Sequence, residues 1–170
     1  MKIGKKLARL AKKKGICKEW YKELQEIDNH DILIQKYLKG IDFCISNDFP
    51  SNDFIRENFS GKMESHGVCL DTMFSIVNMR KVVALGASEG TIEVSSFNTC
   101  EIFVKHDSKV EIIVRDNAFA VVDLFDNSLV KVTASGSCKV LINKYIGSTV
   151  DVSVSGGAIY KINEKNKITY

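Results

Sequence analysis

The sequence predicts an α+β protein that is mainly β: a small helical N-terminal cap followed by a short β-solenoid (β-helix) of about four coils. Three observations carry this. Apolar residues recur at helical spacing through the first third of the chain. From Lys81 onward that spacing vanishes, and short β-rich runs alternate with polar turn phrases. The residue that closes each turn phrase is nearly always small. The chain divides accordingly into a helical module at 1–62, a connecting segment at 63–80 and a repeat domain at 81–170.

Ile3, Leu7, Leu10 and Ala11 share one helical face, and Gly15 ends that helix. Ile16–Ile27 offers a second amphipathic helix with Trp20, Leu24 and Ile27 on one side. A third starts at Asp28 or Asn29, both good caps, and runs through Ile32, Leu33, Tyr37 and Leu38 to Gly40. Ile41, Cys44 and Ile45 fall at i, i+3, i+4 and predict another turn or two. Ser51 predicts an N-cap for 52–59, with Phe54, Ile55 and Phe59 inward. Helices this short bury little surface by themselves, which predicts docking on the repeat half.

The β-rich runs are 82–85, 91–94, 101–104, 110–114, 120–124, 130–132, 140–142, 150–154 and 159–162, with a further run at 168–170. The turn phrases between them close at Gly90, Cys100, Lys109, Ala118, Ser128, Cys138, Thr149 and Ala158. Those residues are spaced 10, 9, 9, 10, 10, 11 and 9 apart. An antiparallel β-sandwich is the alternative, but sandwiches mix tight hairpins with long crossovers. Asn-Gly and Asp-Gly hairpin signals are absent. A solenoid corner points a residue into a narrow interior, which accounts for the small closing residues; Lys109 is the exception. The polar, Lys-rich C-terminus is suited to blunting the last strand edge. The alternative is a last coil left open for self-association.

Hydrophobic residues make up 45% and charged residues 26%, the balance of an ordinary globular protein. No apolar run reaches the roughly 20 residues of a membrane span. The basic start lacks the apolar core of a secretory signal, so a cytoplasmic protein without membrane association is expected. The five cysteines form no CxxC pair and read as reduced thiols. Seven of the first 14 residues are Lys or Arg. Lys5, Lys6, Arg9, Lys12 and Lys13 make this tip a candidate surface for nucleic acid or an acidic partner, although a basic run is most often a solvated helix face. Trp20 beside that tip extends the candidate partner surface. His106, Phe119 and Phe125 add to it on the repeat domain, since Phe119 and Phe125 do not both bury easily.

Catalytic motifs fare poorly. Gly86-Ala87-Ser88-Glu89-Gly90 matches the hydrolase elbow G-x-S-x-G, but a strand follows where a helix is required. Asp107, Asp116, Asp123 and Asp126 offer an acidic face for carbohydrate or metal-dependent chemistry, yet turn formation accounts for three of them. The histidines are scattered, and no Walker loop, dinucleotide fingerprint or HExxH is present, so no catalytic residue, metal or cofactor is expected. The spacing also departs from the six-residue acyltransferase and five-residue pentapeptide solenoids.

The phrase Ala11-Lys-Lys-Lys-Gly15-Ile16-Cys17-Lys-Glu-Trp20, with Leu38-Lys-Gly40 and Phe54-Ile-Arg-Glu-Asn-Phe59, resembles the helical module of small gut-bacterial proteins found near phage or mobile-element genes. The repeats are similar in style to bactofilin-type solenoids, which polymerise. These resemblances imply a non-enzymatic protein-interaction module, with a host or defence protein as partner. The alternatives are a self-assembling bactofilin-like protein that forms homo-oligomers through the solenoid end, and an enzyme on the solenoid face.

Overall fold

The computed structural model describes residues 2–170. They form two compact units, a helical module up to His66 and a solenoid over Gly67–Thr169. Among the described residues the module has five α-helices: α1 (Ile3–Lys13), α2 (Lys18–Glu26), α3 (His30–Lys39), α4 (Ile41–Asn47) and α5 (Asn52–Phe59). The caps are those the sequence predicts. Asn29 accepts from the Ile32 N–H at 3.1 Å and Ser51 from the Phe54 N–H at 3.3 Å. The buried face of α1 is Gly4, Leu7, Ala8 and Ala11, whereas Leu10 is exposed. Gly4 sets that rotation: a Cβ there would lie 2.2 Å from the carbonyl oxygens of Leu24 and Ile27, so α1 and α2 meet backbone to backbone.

The second unit is a parallel β-solenoid of about five turns, one more than predicted. Its strands are β1 (Val68–Leu70), β2 (Met73–Val77), β3 (Lys81–Leu85), β4 (Glu89–Val94), β5 (Thr99–Val104), β6 (Lys109–Val114), β7 (Phe119–Leu124), β8 (Leu129–Ala134), β9 (Lys139–Lys144), β10 (Thr149–Val154) and β11 (Ile159–Glu164). Odd strands form one sheet in the order β1-β3-β5-β7-β9-β11 and even strands the other, β10-β8-β6-β4-β2. Every ladder is parallel, which overturns the antiparallel sandwich. The solenoid also begins earlier than predicted, since β1 and β2 lie in the segment read as a connection. Residues 168–170, predicted as a further run, form no strand.

The period is more regular than the turn phrases suggest. From β3 onward each residue pairs with the one 20 positions later, as in Ile102↔Val122 and Val122↔Ile142. Each half-coil is therefore ten residues, a six-residue strand and a four-residue corner. Only the first coil is shorter: Val68 pairs with Val83 and Met73 with Glu89, offsets of 15 and 16. The predicted corner column mixed three positions. Aligned on the structure, the inward corner residues are Ser88, Asn98, Ser108, Ala118, Ser128, Cys138, Ser148 and Ala158, and all but Asn98 and Ala158 are buried. Lys109 is then no exception, because it belongs to the outward row of β6.

β-Branched residues fill the space between the sheets because strand side chains alternate and this face meets no water. Val82, Ile102, Val122 and Ile142 stack in one sheet against Ile92, Ile112 and Val132 in the other, each 1% exposed or less. The outward rows use the same 20-residue offset for charge. Lys81–Glu101 (3.2 Å), Lys109–Glu89 (3.1 Å) and Lys144–Glu164 (3.1 Å) are cross-strand ion pairs between adjacent coils.

Candidate functional site

Corners hold the residues that the sequence offered as chemistry. The second residue of the corner is left-handed at Gly86, Ser96, His106, Asp116, Asp126, Gly136 and Gly156, with φ from 55° to 75°. Asp, His and Gly tolerate this conformation better than bulky residues do. Their side chains then bond the coil before. Asp116 accepts from the Ser96 N–H at 2.8 Å, Asp126 from the His106 N–H at 3.2 Å, and His106 Nδ1 from the Gly86 N–H at 3.0 Å. The aspartates thus hold a neighbouring coil rather than their own turn. At Gly136 a Cβ would sit 2.9 Å from the Asp116 backbone nitrogen, so only glycine fits the next corner of that stack.

This arrangement divides the acidic face. Asp107 and Asp126 lie on the corners that lead from the odd-strand sheet to the even-strand sheet. Asp116 lies on the opposite corners, and Asp123 projects from β7, where its Oδ1 accepts from Asn143 at 2.6 Å. Asn163 in turn donates to Asn143 at 3.1 Å, an amide ladder that sequence reasoning missed. Its signal was the 20-residue spacing of 123, 143 and 163. Among the described residues no cluster of His, Cys, Asp and Glu could hold a metal. Ser88 of the G-x-S-x-G match is fully buried and donates to the Leu85 carbonyl at 2.8 Å.

Partner-surface candidates separate by exposure. Phe125 is fully buried and stacks on Tyr145 with ring centroids 4.5 Å apart, which removes it from any surface. It belongs to a corner column of Leu85, Lys105, Phe125 and Tyr145, all buried. Lys105 fits there because its ammonium lies 3.0 Å from Asp126 Oδ2 while its stem lies among apolar neighbours. His106 is half-buried and held by its corner bond. Phe119, unlike Phe125, is exposed, on the outer face of β7. In the helical module Lys5, Lys6, Arg9, Lys12 and Lys13 are all exposed along α1. Trp20 is half-buried beneath Lys36, whose ammonium is 5.0 Å from the ring.

Unpaired strand edges lie at both ends of the solenoid, β1 and β2 in the first coil and β10 and β11 in the last. β11 pairs only with β9 and β10 only with β8, so each presents a free edge of backbone groups. Residues after Glu164 add no strand. The Lys167 carbonyl instead accepts from the Ile146 N–H at 3.1 Å, at the corner. The predicted blunting segment therefore leaves both edges unpaired. Inward rows that are dry in the coils above are open here: Val154 is 47% and Tyr160 46% exposed, where Ala134 and Val140 one coil earlier are 0% and 3%. No family model, curated protein or solved structure matches the chain.

Proposed function

We propose that this chain is a non-enzymatic interaction module that assembles with a second copy through its C-terminal coil. The observation that carries the reading is the pair of unpaired edges, β10 and β11, flanking an uncovered apolar cross-section. Each coil of a solenoid is stabilised by stacking on neighbours, and the last coil, like the first, has one coil neighbour where those between have two. A second C-terminal coil supplies strands of the same length and an apolar interior of the same width. Joining two identical ends is isologous and closes after two copies, so the product is a dimer and not a fibre.

Sedimentation equilibrium across a wide concentration range tests it. Wild type is expected to rise from one to two chain masses and stop there. Tyr160→Asp together with Val154→Asp is expected to stay at one chain mass with an unchanged circular dichroism spectrum. A wild type that remains at one mass throughout, or a double variant that still dimerises, overturns the reading.

A further inference from the structure

We propose that the helical module holds a binding site for a small monocarboxylate with an apolar body. Independent of the solenoid end, a pocket of about 270 Å³ opens into this module. Leu24, Ile34, Phe43, Phe49, Ile55 and Phe59 form much of its wall. At about 30 Å³ per non-hydrogen atom it holds a ligand of about nine such atoms. Dry apolar cavities about half this size already bind benzene in other proteins. A space this large, walled by phenylalanine and aliphatic side chains, is costly to leave empty.

The rim assigns the head group. Lys36 lines the pocket, with its ammonium 5.0 Å from the Trp20 ring, and Lys39 reaches the same ring at 6.0 Å. Glu23 is the carboxylate bonded to Lys36. Of these three groups only Lys36 lines the pocket; Lys39 stands beyond Trp20 and Glu23 beyond Lys36, and the trio carries one positive charge in excess. The wall itself stays neutral: burial raises the Tyr37 phenol well above its usual range and pushes the Cys44 thiol up to about 12. An ammonium ligand would meet Lys36 and Lys39, and a neutral one would leave the rim charge unused. A carboxylate pairs with it while its hydrocarbon body enters the pocket.

Trp20 is the single tryptophan, so its fluorescence reports on the rim directly. The test titrates the full chain with octanoate, 1-octanol and octylamine, followed by Trp20 fluorescence and by calorimetry. Octanoate is expected to saturate at one per chain, about tenfold tighter than octanol, the factor one charge-assisted hydrogen bond contributes. Octylamine is expected not to bind. Lys36→Met, a change at the rim, is expected to remove the octanoate advantage and leave octanol binding as it was. Absence of saturable octanoate binding, equal affinity for octanol, or an octanoate preference that survives Lys36→Met each overturns the proposal. Failure of Cys44→Leu, which fills part of the pocket, to weaken both ligands while the circular dichroism spectrum is retained also overturns it.

Discussion

The central coils and the last coil of the solenoid follow one rule with opposite results. Val132 on β8 and Val152 on β10 are register partners with the same side chain pointing the same way. Val132 is fully buried, whereas Val152 is only partly so. In β9 the inward Val140 is 3% exposed, while its partner Tyr160 on β11 is 46% exposed. The sequence rule is the same in both places, and the neighbour is what differs. A solenoid coil is thus half an interface wherever it stands, and only stacking turns its apolar row into core.

The largest expected effect separates these two regions. Val132→Asp places a carboxylate between the sheets with no partner and is expected to cost more than about 4 kcal/mol, enough to unfold the solenoid in urea titrations. Val154→Asp is expected to cost less than about 1 kcal/mol, because half of that side chain already meets water. Similar losses at the two sites would erase the distinction between central and terminal coils.

Next in size is the corner. Asp126→Ala removes both the acceptor for the His106 N–H and the carboxylate facing the buried Lys105 ammonium. The expected loss is about 3 kcal/mol in chemical denaturation. Lys105→Met combined with Asp126→Ala is expected to recover a good part of it, since Met suits a column of Leu85, Phe125 and Tyr145. A double variant as unstable as the single one would show that the backbone bond, and not the buried charge, dominates.

The smallest expected effect lies within the serine column of the same corners. Ser148 donates to the Tyr145 carbonyl at 2.8 Å, while the buried Ser128 hydroxyl has no partner among the described residues. Ser148→Ala is expected to cost about 1 kcal/mol, and Ser128→Ala to be neutral or slightly stabilising in thermal unfolding. Thiol labelling sharpens the inside–outside contrast by another route. Burial pushes the Cys100 thiol up to about 12, and Cys44, Cys69 and Cys138 are buried too, whereas Cys17 is exposed. Native protein is expected to react with iodoacetamide at Cys17 alone, and at all five thiols after denaturation.

How much of this is written in the sequence depends on which force fixed each residue. The helices were legible because caps and apolar spacing are local; Asn29 and Ser51 act where they stand. The solenoid was legible because its period repeats eight times. The phase of that period was not, because small residues also stand two positions on, at Gly90 and Cys100, so a small-residue column can be drawn through either position. The corner position is defined by a left-handed backbone that Ser96 and His106 do not advertise. The first coil escaped because its 15- and 16-residue offsets break the period. Phe125 was misplaced because its column contains Lys105, and a lysine conceals a buried row until its partner Asp126 is seen 21 residues away. The helical pocket was illegible for another reason. Its wall draws on every helix of the module, and no single stretch of sequence carries it.

If the last coil is an interface for a second copy, association shields its backbone amides. Amide hydrogen exchange on wild-type protein, compared at the lowest and highest concentrations of the sedimentation series, reads that shielding strand by strand. Amides of β10 and β11 are expected to exchange more slowly at high concentration, while those of β6 and β8 do not change. Exchange in β10 and β11 that is independent of concentration would contradict that interface.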